Sequence, residues 1–309
     1  MGEVRTGPVV IVEGLRKDYG SVPAVDGLSF AIEPGEVFAL LGPNGAGKTT
    51  TVEILEGHRR RTGGSVSVLG FDPQTGGRPF RERIGIVLQE AGFDEEFTVR
   101  ELVVMYSRLY PRYRDPDEVI ERVGLTDKAR ARTKTLSGGQ RRRLDLALGL
   151  VGDPELLFLD EPTTGFDPSA RRRAWDLIAS LRDLGTTILL TTHYMEEAER
   201  LADRVAVIQA GRLIALDTPE GLVRAEGAAA VISFVLPDGL TAGALPAIGL
   251  GRPRANGAQV DIRSGDPTRD LNVLTGWAVE QGIQLEGLSM GRPTLEDVYL
   301  DLTQGVDRA

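Results

Sequence analysis

A glycine-rich loop directly after a short apolar run constrains this chain more than any other segment. Residues 37–41 are Val-Phe-Ala-Leu-Leu, an unbroken apolar stretch typical of a strand buried on both faces. Residues 42–49 read Gly-Pro-Asn-Gly-Ala-Gly-Lys-Thr, and a helix is predicted from about Lys48 to Glu56. Glycines let backbone N–H groups approach an anion closely, and the helix N-terminus adds partial positive charge. The order of strand, loop and helix therefore predicts a nucleotide phosphate site.

Two side chains of this loop have predicted roles. The Lys48 ammonium can reach the β- and γ-phosphates of a nucleotide, and the Thr49 hydroxyl can ligate Mg²⁺. The residues expected to bind ATP here are Gly42, Pro43, Asn44, Gly45, Ala46, Gly47, Lys48, Thr49 and Thr50.

A second apolar run ends in two acids. Residues 156–161 are Leu-Leu-Phe-Leu-Asp-Glu, which predicts a central strand with Asp160 at its carboxyl end. A carboxylate there can hold Mg²⁺, usually through water, and Glu161 can polarise a water for attack on the γ-phosphate. A strand that ends in two solvated acids is a common alternative, but the phosphate loop in the same chain favours the catalytic interpretation.

Composition excludes several other chemistries. The 309 residues contain no Cys and two His, which rules out disulfide, thiolate and iron–sulfur chemistry and nearly rules out a multi-histidine metal site. The net charge of -9 argues against a surface that coats nucleic acid. Every apolar run is far shorter than the ~20 residues of a membrane-spanning helix. The first residues lack the apolar stretch of a signal peptide, so we expect a cytosolic chain.

The pattern of strands and helices predicts an alternating α/β domain over residues 1–220, with a helical insert at about 95–145. A small α+β accessory domain is expected over residues 221–309. Within these domains, residues 9–13 and 283–288 are predicted as strands and residues 168–184 as a helix.

The run Leu-Ser-Gly-Gly-Gln at 136–140 places a hydroxyl and two unobstructed glycine amides at a helix N-terminus, which suits a second anion site. With this run between the phosphate loop and the Asp-Glu strand, the sequence resembles the ATP-binding-cassette family over residues 9–218. The resemblance implies a P-loop cassette with a mixed sheet core, an antiparallel β subdomain and the helical insert. It also implies that Ser137, Gly139 and Gln140 contact the ATP of an opposing subunit.

Four further positions match the family in order. The resemblance implies that Tyr19 stacks on adenine and that Gln89 senses Mg²⁺ and the attacking water. Asp167 matches an aspartate loop that crosses a dimer interface, and His193 matches a switch histidine that contacts the γ-phosphate. The expected catalytic set is therefore Lys48, Gln89, Glu161 and His193, and the expected Mg²⁺ set is Thr49, Gln89 and Asp160.

Three segments resemble the ATPase subunits of bacterial exporters of the daunorubicin-resistance type: 141–150, 163–168 and 294–303. This implies a Mg-dependent ATPase that forms an ATP-sandwich homodimer. It would power efflux of a drug or other hydrophobic compound through a separate polytopic permease, at the cytoplasmic face of the membrane. An importer subunit, a lipid or polysaccharide exporter and a non-transport ATPase switch acting on nucleic acid stay open as alternatives.

Overall fold

The computed structural model describes residues 7–87, 92, 94, 96–225, 230–237, 239–251 and 253–306. The chain forms two compact units that divide between Thr218 and Pro219. Each unit has its own sheet and its own buried apolar cluster. The units are therefore described separately.

Strands and helices alternate along the first unit. Its described strands are β1 (Val10–Tyr19), β2 (Val22–Ile32), β3 (Val37–Leu41), β4 (Gly63–Val68), β5 (Ile84–Val87), β6 (Leu156–Asp160), β7 (Thr187–Thr192), β8 (Arg204–Gln209) and β9 (Arg212–Asp217). Its described α-helices are α1 (Lys48–Leu55), α2 (Gly77–Arg81), α3 (Val99–Ser107), α4 (Pro116–Arg122), α5 (Gly138–Leu150), α6 (Pro168–Ser180) and α7 (Met195–Leu201).

A six-stranded sheet in the order β5-β6-β7-β3-β8-β9 forms the centre of this unit. Its first five strands are parallel, and β9 runs antiparallel to β8. Leu41 lies opposite Thr192, and Asp160 lies opposite Thr191. The carboxyl ends of β3, β6 and β7 therefore meet at one edge, where ligands bind in open α/β sheets.

Burial explains why β3 reads as a continuous apolar run. All five of its residues are buried, because the strand is central in the sheet and covered on both faces. Phe38 of β3 stacks on Phe30 of β2 with ring centroids 5.2 Å apart. This contact joins the parallel sheet to the neighbouring antiparallel sheet, whose order is β2-β1-β4.

The predicted strand 9–13 is too short, since β1 continues to Tyr19. Its pairing with β2 shifts register between Val12 and Leu15, around Gly14, which has a φ of 57°. This irregularity breaks the alternation of apolar and polar residues, so the sequence pattern ends before the strand does.

Side-chain caps begin the helices of the insert. Thr98 and Glu101 form a reciprocal capping box at the start of α3, and Asp115 caps α4. α5, the last helix that begins within the predicted insert, continues past residue 145 to Leu150.

The predicted helix 168–184 is interrupted. α6 ends at Ser180, and a separate 3₁₀ turn at Arg182–Leu184 leads to Gly185, which has a φ of 72°. A glycine in this left-handed conformation is a common way to end a helical segment.

The second unit has a four-stranded sheet in the order β11-β12-β10-β13. Its described strands are β10 (Ala230–Val235), β11 (Arg254–Asn256), β12 (Gln259–Ser264) and β13 (Glu286–Gly291). Its described helices are α8 (Pro219–Ala225), α9 (Pro267–Glu280) and α10 (Leu295–Val306). Phe234 and Ile262 pack with Leu274 of α9 in its core.

The predicted strand 283–288 is wrong in position, since β13 begins at Glu286 and ends at Gly291. All six residues of this edge strand are exposed, so burial imposes no strict alternation on its sequence. Within the described parts of both units, no helix combines the length and the apolar character needed to span a lipid bilayer.

Candidate nucleotide-binding site

Two positions of the loop between β3 and α1 leave no room for a side chain. Gly47 has a φ of 100°, and a Cβ atom there would lie 2.4 Å from the carbonyl oxygen of Ala24. A Cβ atom on Gly42 would lie 2.3 Å from the carbonyl oxygen of Ile208. Both glycines are therefore required for the loop to pack against the neighbouring backbone.

Lys48 opens α1, and its side chain is buried with 5% of its surface exposed. Its Nζ donates hydrogen bonds to the carbonyl oxygens of Gly42 at 2.7 Å and Pro43 at 3.1 Å. Burial lowers the pKa of the ammonium, and the negative charges of Glu161 and Asp160 oppose that shift. The ammonium is thus held inside the loop, close to two carboxylates.

A cavity of about 470 Å³ lies over this loop. The residues that line it are Ala24, Asn44, Gly45, Gly47, Lys48, Thr49, Thr50 and Glu161. Glu161 comes from the end of β6, more than a hundred residues further along the chain. The structure therefore brings together the phosphate loop and the acidic residue that the sequence predicted as the base.

Glu161 has a φ of 45°, an uncommon conformation for a residue with a side chain. Hydrogen bonds to Thr191 hold this conformation. The backbone N–H of Glu161 donates to the Thr191 carbonyl oxygen at 3.2 Å and to Thr191 Oγ1 at 3.0 Å. Its Oε2 accepts a hydrogen bond of 3.0 Å from the Thr164 hydroxyl. These contacts aim the carboxylate into the cavity.

Two basic residues flank the other carboxylate oxygen. Oε1 of Glu161 lies 3.9 Å from Nζ of Lys48 and 3.3 Å from Nδ1 of His193. The Nδ1 atom is buried and makes no hydrogen bond within the described part of the chain, so the contact with Glu161 is one of proximity. Lys48, Glu161 and His193, which lie far apart in the sequence, form one cluster.

Asp160 points its carboxylate to the same edge of the sheet. Its Oδ1 accepts a hydrogen bond from Oγ1 of Thr191, which is fully buried. Thr191 therefore holds both acids, a role that sequence reasoning missed. Its position directly before Thr192 and His193 at the end of β7 was the available signal.

The oxygen donors at this edge of the sheet suit Mg²⁺. Thr49 supplies an exposed hydroxyl and Asp160 a carboxylate, both hard oxygen donors. The described residues contain no group of three or more His, Cys, Asp or Glu side chains placed to hold a metal ion. Few protein oxygens beside a phosphate pocket suit Mg²⁺, which keeps several waters and binds together with substrate phosphates.

The predicted adenine platform lies at the last position of β1. Tyr19 is 44% exposed and does not line the phosphate cavity. Two cations lie near its centroid, Nζ of Lys17 at 5.1 Å and Cζ of Arg59 at 5.3 Å. Arg59 is itself paired with Glu53 on α1, which links the aromatic ring to the helix of the phosphate loop.

The Ser-Gly-Gly-Gln run lies outside the cavity of its own chain. Ser137 and Gln140 form a reciprocal capping box at the start of α5. A Cβ atom added to Gly138 or Gly139 would meet no atom within 4 Å, so the surface above these glycines is open. This leaves their backbone accessible to a ligand from outside.

Asp167 caps α6 by accepting hydrogen bonds from the backbone and hydroxyl of Ser169 and from the backbone of Ala170. The Ser169 hydroxyl is the main cause that holds the pKa of Asp167 below its usual value. Asp167 is exposed and does not line the phosphate cavity. Gln89, the predicted sensor of Mg²⁺ and the attacking water, lies outside the residues that the structure describes.

A fully buried carboxylate supports the turn after Glu161, and sequence reasoning missed it as well. Oε1 of Glu197 accepts hydrogen bonds from Oγ1 of Thr163 at 2.8 Å and from Nε1 of Trp175 at 2.9 Å. Nothing in the local sequence around Glu197 distinguishes it from the neighbouring acids of α7.

These features define a class of protein. A glycine loop between a buried strand and a helix, with an acid pair on a neighbouring parallel strand, is the arrangement of P-loop nucleotide-binding proteins.

Comparison with known proteins narrows this class. Residues 25–164 match the family model described as ABC transporter, and residues 230–294 match a model for the C-terminal domain of ABC-transporter-like proteins. The chain therefore belongs to the ABC transporter family, as an ATP-binding subunit.

Similar proteins include exporters. The daunorubicin resistance ATP-binding protein DrrA3 of Streptomyces coeruleorubidus is 42% identical, covering 97% of this chain and 96% of the relative. The Nod factor export ATP-binding protein I of Rhizobium meliloti (strain 1021) is 42% identical, covering 94% of this chain and 87% of the relative. The structure of CbiO1 from Clostridium perfringens, part of the ABC transporter complex CbiONQ, has a TM-score of 0.65 and 28% identity, covering 71% of this chain and 91% of that chain.

Proposed function

We propose that this chain is the Mg-dependent ATPase subunit of a bacterial exporter and powers efflux of a drug or other hydrophobic compound through a separate membrane permease. One observation carries the proposal: the Glu161 carboxylate lines the phosphate cavity, with Lys48 and His193 on either side of it. A carboxylate placed beside a bound γ-phosphate can accept a proton from an attacking water.

The residues of the site have separate roles in binding and in hydrolysis. The loop amides and Lys48 bind the β- and γ-phosphates, and Thr49 and Asp160 hold Mg²⁺. When bound, this ion neutralises phosphate charge. Glu161 accepts the proton of the water, and His193 contacts the γ-phosphate. Thr191 keeps Asp160 and Glu161 in place through its hydrogen bonds to both.

Hydrolysis requires two copies of the chain in this proposal. Ser137, Gly139 and Gln140 do not line the cavity of their own chain, and the glycines beside Ser137 are open. They would therefore contact the ATP held by a partner. A twofold dimer of this kind has two equivalent sites. Tyr19 stacks on adenine, Gln89 senses Mg²⁺ and the water, and Asp167 lies at the interface.

Similarity to a daunorubicin resistance protein and to Nod factor export proteins supports export over import. The two relatives have the same 42% identity to this chain, so identity does not separate a drug from other cargo. The partner is a polytopic permease, present as two copies or two halves, and the chain binds it at the cytoplasmic face of the membrane. No nucleic acid is expected as a partner.

Replacement of the base tests the chemistry. We expect Glu161→Gln to keep ATP binding and to lower ATP turnover by about 100-fold or more, because an amide cannot accept the proton. Glu196→Gln, on the exposed side of α7, is the control and should hydrolyse ATP at the wild-type rate. A Glu161→Gln variant with near wild-type turnover would show that Glu161 is not the base.

Dimer formation and export need separate assays. In the Glu161→Gln variant, ATP should double the mass measured by light scattering, and Ser137→Arg should prevent this by filling the opposing phosphate site.

Affinity purification should recover a polytopic membrane protein with the chain. Inverted vesicles that contain both should accumulate labelled daunorubicin only with ATP. Accumulation of a solute in right-side-out vesicles would indicate import.

A further inference from the structure

An arginine on the helix after the Ser-Gly-Gly-Gln run contacts the backbone of the catalytic turn. Nη2 of Arg142 donates to the carbonyl oxygen of Asp160 at 3.1 Å and to that of Glu161 at 3.4 Å. Nε of the same guanidinium donates to the carbonyl oxygen of Pro162 at 3.1 Å. One side chain of α5 therefore holds three consecutive carbonyl groups at the end of β6.

These carbonyls determine the conformation of the proposed base. The carbonyl of Asp160 belongs to the peptide plane before the Cα atom of Glu161, and the carbonyl of Glu161 belongs to the plane after it. The rotations of these two planes about the N–Cα and Cα–C bonds of Glu161 are its φ and ψ angles. Since φ is 45° and therefore costly for a residue with a side chain, neighbouring groups must hold it.

Two residues from different elements hold the turn. Thr191 accepts hydrogen bonds from the N–H of Glu161, and Arg142 donates to the carbonyls on either side of it. Thr191 belongs to β7 of the sheet, whereas Arg142 belongs to α5 of the helical insert. The insert is thus connected directly to the backbone of Glu161.

The surroundings make a charged side chain costly at this position. Apolar residues line the groove beside the guanidinium, among them Leu146, Leu159 and Leu177. Burial is the main cause that lowers the pKa of the Arg142 guanidinium, and the negative charges of Asp145, Asp160 and Glu197 offset that shift only in part. An apolar side chain would fill such a place at lower desolvation cost, so packing alone does not account for an arginine.

We propose that Arg142 is a positioning residue that holds Glu161 in its strained conformation and connects the position of α5 to the geometry of the base. This inference rests on the proposed role of Glu161 in hydrolysis. It assigns to Arg142 no contact with ATP of its own chain. A displacement of α5 on binding the partner's ATP would then change the position of Glu161 through these three hydrogen bonds.

Steady-state kinetics of the full-length chain test the proposal. We expect Arg142→Met to lower kcat about 10- to 100-fold while KM for ATP changes less than about threefold, since a small misplacement of a catalytic group affects turnover most. Arg142→Lys should recover part of kcat, because an ammonium still donates to carbonyls. Arg143→Met is the matched control, since its guanidinium donates to the carbonyl oxygen of Gly124, away from the catalytic turn.

Hydrogen exchange provides a second measurement that does not depend on turnover. Peptides covering residues 160–166 should exchange faster in Arg142→Met than in wild type, whereas peptides of β3 and α1 should not change. Arg143→Met should leave residues 160–166 unchanged. An unchanged exchange rate at 160–166 in Arg142→Met, or unchanged kcat, would overturn the proposal. Faster exchange throughout the chain would also overturn it, because this would indicate a general structural role.

Two combinations of results separate the catalytic role of Glu161 from the positioning role of Arg142. If Glu161→Gln hydrolyses ATP at the wild-type rate, the assignment of the base fails, whatever the result at Arg142. If Glu161→Gln is inactive but Arg142→Met keeps wild-type kcat and exchange, only the positioning role of Arg142 fails.

Discussion

Glu56 at the end of α1 should make the stability of this protein fall as pH rises. Its side chain is only 3% exposed, and its pKa is raised from 4.5 to about 8, first by burial and then by the negative charges of Asp160 and Glu53. Oε2 lies 3.3 Å from Nδ1 of His58, a contact that a carboxylic acid can make with an imidazole without an ion pair.

Proton linkage gives the sign and the size of this change in the free energy of unfolding. Between pH 4.5 and 8 the folded chain keeps the Glu56 proton while the unfolded chain has released it. The contribution of Glu56 to the free energy of unfolding is therefore full below pH 4.5 and decreases with rising pH up to about 8, by about 1.4 kcal/mol per pH unit. From pH 4.5 to pH 7 this one group lowers the free energy of unfolding by about 3 kcal/mol.

Glu56→Gln removes the titrating group and keeps its shape. We expect the variant to lose less stability than wild type between pH 4.5 and pH 7, by about 3 kcal/mol. Urea unfolding followed by circular dichroism across this range measures the difference. Glu121→Gln, on the exposed side of α4, is the control and should follow the wild-type curve. Parallel pH profiles for wild type and Glu56→Gln would refute the reasoning.

Substitutions at three further positions test the site and its support. Gly47→Ala should weaken ATP binding at least about tenfold in a fluorescent-nucleotide titration, because its φ of 100° and the nearby Ala24 carbonyl leave no room for Cβ; wild-type affinity would contradict this. Glu197→Ala should lower the free energy of unfolding by about 2–5 kcal/mol in denaturant titrations, because the buried donors of Thr163 and Trp175 lose their acceptor. Glu197→Gln, which keeps an acceptor, should lose less than half of that. Tyr19→Ala should weaken ATP binding about tenfold and Tyr19→Phe less than about twofold, if stacking on adenine contributes about 1–3 kcal/mol; equal affinities for the two variants would argue against stacking.

The sequence by itself determined the features that depend on local order. The phosphate loop and the acid pair were predicted because each is a contiguous run with its own physical signature. The α/β class was predicted from the alternation of strands and helices along the chain. The strand β3 shows this directly, because burial on both faces requires an unbroken apolar run. Similarity over nearly the whole chain confirmed the family that the Leu-Ser-Gly-Gly-Gln run at 136–140 indicated. The roles of individual site residues stay predictions.

Only the tertiary structure decided which distant residues support the base. Thr191 is 31 residues from Asp160, and Glu197 is 34 residues from Thr163, so no local pattern predicts their hydrogen bonds. The contact of Arg142 with the turn at Glu161 depends on the packing of α5 against β5, the strand that pairs with β6. Local sequence determines which group can carry charge or bind phosphate. Long-range packing determines where that group points, because the partners that hold it come from other strands and helices.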